Sequence, residues 1–162
     1  MNALPHIDAV RDAAARIAPY ATVTPVLRSS ALDALAGAEL HFKCENLQRG
    51  GAFKFRGACN AVWSLTEAEA ARGVVTHSSG NHGNALALAA ATRGIQAHVV
   101  VPEGAVQAKL DAIARAGGTL HRCAPNQAAR EAMCAEVQAQ TGAALVHPYA
   151  DARVMAGQGT IA

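Results

Sequence analysis

Gly73-Val74-Val75-Thr76-His77-Ser78-Ser79-Gly80-Asn81-His82-Gly83, followed by an alanine-rich stretch to Arg93 and then by His98-Val99-Val100-Val101-Pro102, decides how this chain folds. A short apolar run, a glycine-punctuated polar loop, a helical stretch and a second apolar run stopped by proline predict strand, loop, helix and strand. The helix is expected over Asn81–Arg93. Further along, 105–116 reads as a helix stopped by Gly117-Gly118, and 119–123 reads as extended. Next, 127–140 reads as a helix with Gly142 after it, and 143–146 as a short strand. Strands that alternate with helices of about a dozen residues predict parallel βαβ units with right-handed crossovers. The fold class is therefore α/β, with an open parallel sheet and flanking helices spanning 45–148.

Upstream, Ile7, Val10, Ala14 and Ile17 fall at helical spacing and Pro19 ends the pattern, so a helix is expected over 6–18. Thr24-Pro25-Val26-Leu27 reads as an extended connector, and Ser29-Ser30 as the cap of a short helix reaching Leu35. Leu40, Phe42 and Cys44 alternate with polar residues across 39–45, the pattern of a strand. At the other end, Ala156-Gly157-Gln158-Gly159-Thr160-Ile161-Ala162 reads as a loop entering a helix that the chain does not complete. On this reading the chain is an N-terminal fragment of a longer protein.

Composition narrows the function classes. Half of the 162 residues are apolar (51%) while aromatic residues are few (4%), which favours helices packed on a sheet over a β-sandwich. The formal net charge of +2 is scattered, with no basic run interleaved with aromatic residues, so nucleic acid is not an expected partner. No stretch has the length and apolarity of a membrane span, and 1–20 carries Asp8, Arg11, Asp12 and Arg16 where a signal peptide would be apolar. Cys44, Cys59, Cys123 and Cys134 form no Cys-x-x-Cys pair, which fits a reducing, cytoplasmic setting. The seven histidines show no ligand spacing, so no metal is expected.

Chemistry concentrates in two stretches. The chain has only three lysines, and Lys43 and Lys109 read as ordinary solvated positions. Lys54 sits between two rings in Gly50-Gly51-Ala52-Phe53-Lys54-Phe55-Arg56-Gly57-Ala58, a setting suited to holding an aldehyde cofactor as a Schiff base. In the second stretch, Ser78 to His82 lies between a strand and a helix start, where free backbone N–H groups meet anions and where ligands gather in open α/β sheets. A plainer reading is that Ser79 or Asn81 only caps the helix. The loop is neither a dinucleotide fingerprint nor a phosphate loop, and Ser79 lacks the setting of a hydrolase nucleophile.

Together, Lys43-Cys44-Glu45-Asn46-Leu47-Gln48, Gly51-Ala52-Phe53-Lys54-Phe55-Arg56-Gly57-Ala58 and Ser78-Ser79-Gly80-Asn81-His82-Gly83 resemble the serine racemase and serine/threonine dehydratase family. Thr24-Pro25-Val26, Val100-Val101-Pro102, His147-Pro148 and Ala156-Gly157-Gln158-Gly159-Thr160 extend the match. These are pyridoxal-phosphate enzymes of the tryptophan-synthase-β-like fold type II. The resemblance implies that 1–44 opens the large domain, 45–148 forms the small α/β domain, and 149–162 starts the return to the large domain. It implies pyridoxal 5'-phosphate as cofactor, bound covalently to Lys54, lined by Phe53 and bonded at its ring hydroxyl by Asn81. It implies that Ser78, Ser79, Asn81 and His82 hold the substrate carboxylate, that Ser79 handles a proton opposite Lys54, and that Arg130 approaches the substrate. The groups that grip the cofactor phosphate and face its ring nitrogen would lie beyond residue 162.

The implied activity is dehydration of L-serine, L-threonine or a related hydroxy amino acid to a 2-oxo acid and ammonia, by a homodimer when full length. Serine racemisation is the close alternative. A truncated, non-catalytic binding domain is the alternative of another class, and a nucleotide-binding βαβ domain stands further off because its glycine fingerprint is absent.

Overall fold

A computed structural model describes residues 4–162. In chain order the elements are α1 (Ile7–Ile17), β1 (Val26–Leu27), α2 (Ser30–Ala36), β2 (Phe42–Lys43), α3 (Lys54–Trp63), α4 (Glu67–Ala70), β3 (Val74–His77) and α5 (Asn81–Arg93). There follow β4 (Ala97–Pro102), α6 (Gln107–Arg115), β5 (Gly118–Cys123), α7 (Gln127–Thr141), β6 (Ala144–Leu145) and α8 (Ala152–Gly159). Two short 3-10 turns, Glu45–Leu47 and Arg49–Gly51, lead into α3.

Four strands form one sheet in the order β5-β4-β3-β6, and every pair in it is parallel. The expected βαβ units are present. Alternation along the strands sorts the two faces. Val74, Val99 and Val101 pack with Leu86, Ala90, Leu110 and Ile113 of α5 and α6, whereas Val75, Val100 and Cys123 pack with Cys134 and Val137 of α7. The alanine-rich α5 lets α3 and the sheet approach it closely, because Ala85, Ala87, Ala89 and Ala90 are all buried.

This strand order creates a switch point. From β3 the chain runs through α5 to β4 on one side, while β6, reached over the opposite face through α7, lies on the other. In an open α/β sheet the crevice outside the carboxyl ends of such a pair is where ligands bind. Here the pair is β3 and β6, so His77-Ser78 and Val146-His147-Pro148 flank the crevice.

Several expectations needed correction. Residues 156–159 are not a loop but the last turns of α8, which Asp151 starts by accepting a hydrogen bond from Arg153 N at 2.8 Å. Glycines that read as loop signals serve packing there. A Cβ on Gly157 would stand 2.6 Å from the Arg56 carbonyl oxygen, so Gly57 and Gly157 mark the close crossing of α3 and α8. The strand expected over 39–45 shrinks to β2, paired antiparallel with β1. Helix α3 had no sequence forecast because Arg56 and Asn60 interrupt its apolar face, yet both are buried with partners: Arg56 with Glu45, and Asn60 with Arg16 and Arg153. Lys43 is tied down as well, since its Nζ donates to Thr24 O at 2.8 Å.

All four cysteines are free. No described helix is long and apolar enough to cross a membrane, and no cluster of three or more metal-ligating side chains occurs among the described residues.

Candidate functional site

Lys54 is the first residue of α3, with Phe53 at the cap position. The buried side chains of Phe55, Ala58, Cys59 and Val62 fix that helix in the core. With its base fixed, the half-buried Lys54 amine reaches the loop after β6, where it donates to Pro148 O at 3.2 Å. The Phe53 ring lies 5.2 Å from the same nitrogen. No ion pair joins Lys54 to a carboxylate among the described residues. An amine held by one neutral carbonyl beside an aromatic face is available for carbonyl chemistry, whereas one locked to a carboxylate is not.

Across the crevice, Ser78 N donates to Val100 O at 3.1 Å as the chain leaves β3. Ser78 Oγ then accepts from Gly80 N at 3.3 Å. Gly80 is the N-cap of α5 and makes no side-chain cap bond, so neither Ser79 nor Asn81 caps this helix. The capping reading of the loop is thereby removed. As in any helix, the first N–H groups of α5 have no carbonyl within the helix to bind. With the helix dipole behind them they suit a carboxylate. Gly83 makes the turn possible, because a Cβ there would run into the Ser78 carbonyl oxygen.

His82 is buried in the first turn of α5, with Nε2 3.4 Å from Val146 O. Burial is the main cause that lowers its pKa to about 4, and the charges of Lys54, His147 and His77 push the same way. His82 is therefore a neutral ring at physiological pH. Its Nδ1 is buried and takes no hydrogen bond.

Beside it, His147 stacks edge-on against both His77 and Tyr149, with ring centroids 5.0 and 4.5 Å away. His147 Nδ1 accepts from Tyr149 N and Ala150 N, which leaves Nε2 to carry the proton in the neutral ring. Burial, then the His147 charge, lowers the His77 pKa. A cavity of about 490 Å3 opens here, lined by Leu145, His147, Ala150, Asp151, Ala152 and Arg153. Burial opposes ionisation of Asp151, but the Arg153 guanidinium, 2.7 Å away, holds its carboxyl below the ordinary range.

The structure thus gathers Phe53 and Lys54 on one side of the crevice, and Ser78, Ser79, Asn81 and His82 on the other. Arg130 lies in the first turn of α7. No hydrogen bond or ion pair joins it to 78–82 among the described residues, and its charge acts instead on His77 and Cys123. Its Nε is buried without a partner. Sequence reasoning passed over His77, His147, Tyr149 and the Pro148 carbonyl as site residues, although His77 stood at the head of the polar loop and His147-Pro148 within the family resemblance.

A family model described as pyridoxal-phosphate dependent enzyme matches residues 17–162. The chain is 53% identical over 153 residues to a serine racemase of Arabidopsis thaliana, covering 94% of this chain and 46% of that protein. It is 54% identical over 147 residues to a beta-hydroxyaspartate dehydratase of Paracoccus denitrificans, covering 91% and 47%. The crystal structure of serine racemase from Dictyostelium discoideum superposes with a TM-score of 0.94 at 48% identity, covering 98% of this chain and 52% of that one. The chain spans about half the length of the curated relatives it matches.

Proposed function

The chain belongs to the pyridoxal-phosphate dependent enzymes, and from that membership we propose that it is the lysine-bearing part of a dehydratase that converts a hydroxy amino acid to a 2-oxo acid and ammonia. L-Serine, L-threonine and hydroxyaspartate are the substrates of the class. The observation that carries this reading is the Lys54 amine, with no carboxylate partner among the described residues, bound to Pro148 O at the same switch point where α5 presents its free N–H groups. Similarity to a beta-hydroxyaspartate dehydratase supports it.

The residues present suit the cofactor's aldehyde end. Lys54 Nζ is the amine that would hold it, the Phe53 ring would line it, and the exposed Asn81 amide would bond its ring hydroxyl. When bound, pyridoxal phosphate supplies an electron sink that makes the substrate Cα–H acidic.

The chain's own side chains do the rest. The N–H groups at the start of α5, that of His82 among them, would with Ser78 and Ser79 orient the substrate carboxylate so that its Cα–H meets Lys54 Nζ. Lys54 Nζ, freed when the substrate amine takes its place on the cofactor, would take that proton as general base. Loss of the β-hydroxyl as water then leads, after hydrolysis, to the oxo acid and ammonia. Arg130 approaches the substrate from α7.

A second reading, racemisation of serine, is favoured by one observation: Ser79 is half-buried in the loop and spends its side chain on no helix cap. Its hydroxyl would return the proton to Cα on the face opposite Lys54, and racemisation needs a proton carrier on each face. Similarity to a serine racemase supports this reading. We place 45–148 in a small domain, with 1–44 and 149–162 as parts of a larger one. We also propose a cytoplasmic homodimer, with the four free cysteines in keeping with a reducing compartment.

Borohydride reduction with pyridoxal phosphate, followed by peptide mapping on the full-length protein, tests the assignment. A label on Lys54 is expected, and labelling elsewhere or nowhere refutes it. Incubation with L-serine, L-threonine and hydroxyaspartate, following oxo acid and D-isomer together, separates the two readings. Oxo acid without D-serine leaves only the dehydratase.

A further inference from the structure

One three-residue segment holds both sides of the crevice. As the chain leaves β6, Val146 O faces His82 Nε2 at 3.4 Å, and two residues later Pro148 O accepts from Lys54 Nζ at 3.2 Å. His82 and Lys54 belong to different helices, α5 and α3. The two helices pack on each other through their buried faces, and Val146-His147-Pro148 links the tips that carry His82 and Lys54. Facing a carbonyl, His82 Nε2 must carry the ring proton, so Nδ1 is left as a bare lone pair. That lone pair is buried and unpartnered in a residue only 3% exposed, an arrangement that costs stability.

We propose that His82 is a positioning residue: a buried ring that, through its Nε2 contact with Val146 O, clamps the anion-binding loop 78–83 onto the segment holding Lys54, and so sets the spacing between the loop N–H groups and the lysine amine. The ring is neutral at physiological pH first because it is buried, and then because of the charges around it. From α3 the Lys54 charge acts on it, from the end of β3 His77, and from the β6 exit His147, and all three oppose a second positive charge. Among the same neighbours, only the Val146 carbonyl favours protonation. Gly83, next in sequence, runs so close to Ser78 that a Cβ there would meet the Ser78 carbonyl, which leaves the backbone around His82 little room to shift without moving the loop.

The proposal deepens the carboxylate-binding reading of this loop and rests on it for its effect on turnover. Its structural part is independent of cofactor and substrate. On the whole protein, 15N-histidine NMR is expected to show His82 with Nε2 protonated and Nδ1 bare, unchanged from pH 8 to pH 5.

Hydrogen exchange supplies the second readout. His82→Gln keeps an N–H that reaches Val146 O, whereas the shorter His82→Asn does not. His82→Asn is expected to speed amide exchange in both 79–83 and 146–147, with His82→Gln close to the parent. Where the enzyme turns over, His82→Asn raises KM for the amino acid about tenfold or more, with a smaller change in kcat, while Lys54 still takes the pyridoxal label.

An Nδ1-protonated ring, titration near the ordinary histidine value, or unchanged exchange in His82→Asn overturns the clamp. Failure of the parent protein to label at Lys54 would instead refute the proposed function and leave the NMR and exchange results standing.

Discussion

Lys54 and Pro148 are 94 positions apart in the chain, yet Lys54 Nζ donates to the Pro148 carbonyl oxygen at 3.2 Å. This contact spans the crevice between the start of α3 and the exit of β6, and among the described residues the lysine has no carboxylate partner. Lys54→Ala is therefore expected to abolish covalent pyridoxal incorporation and to lower turnover by about three orders of magnitude or more, since the variant lacks both anchor and base. The fold should persist, because the amine makes one hydrogen bond at a half-exposed position. Absorbance after reduction and a circular-dichroism melt read the two effects separately.

Gly83 and Gly80 make opposite predictions three residues apart. Ala at 83 would drive its Cβ into the Ser78 carbonyl, and backbone on both sides leaves little room to relax. Gly83→Ala is expected to cost about 1–3 kcal/mol and to displace the loop. Gly80 has open space where a Cβ would point and an extended φ of −117°, so Gly80→Ala should leave the melting temperature nearly unchanged. Thermal unfolding of the two variants checks this, and equal losses would mean that Ser78 and Gly83 are not in contact.

The parts legible in the sequence were those where local pattern and tertiary role agree. Val74–His77, Asn81–Arg93 and Ala97–Pro102 hold apolar or alanine-rich runs punctuated by Gly94 and Pro102, so the local pattern marked a strand, a helix and a strand there. Helix α3 hid because two of its inward positions are polar: Arg56 and Asn60 are buried only because Glu45, Arg16 and Arg153 come from elsewhere to meet them. Lys54 and the 78–82 loop stood out as chemistry. The backbone carbonyls of Val146 and Pro148 did not, because a carbonyl that binds a side chain leaves no mark on residue identity.

The Arg56–Glu45 pair is the main electrostatic commitment in the core. Arg56 Nη2 donates to Glu45 Oε1 at 2.7 Å and Arg56 Nε donates to Oε2 at 2.8 Å, with both side chains almost wholly buried. Arg56 beside it holds the Glu45 carboxyl below the ordinary glutamate range. Removing only the cation, as in Arg56→Met, strands a buried carboxylate and is expected to cost about 3–5 kcal/mol. Adding Glu45→Gln to that variant should recover part of the loss, because the remaining group is neutral and keeps the Thr24 hydroxyl as donor. Urea unfolding of both forms measures the difference. A double variant no more stable than Arg56→Met would show that packing, not the stranded charge, sets the cost.

Acidification tests His82 through its effect on folding. Its pKa in the folded protein is about 4, chiefly through burial, against an ordinary value of 6.5. As pH falls through 6.5 the unfolded chain takes up the proton first, so the stability that neutral His82 contributes is complete above pH 6.5. It drains away toward pH 4 and changes no further below that. A difference of about 2.5 units corresponds to about 3 kcal/mol at full extent. The depressed pKa of His77 adds to the trend with the same sign. Carboxylates such as Asp151 and Glu45, whose pKa values are also lowered, lose stability at lower pH and so blur the acid end of any single profile. The clean quantity is therefore the difference between parent and His82→Gln, which carries no titrating ring. Its unfolding free energy should run parallel to the parent's above pH 7 and fall less steeply between 6.5 and 4. Parallel curves across the whole range would show that His82 is not the buried neutral group described.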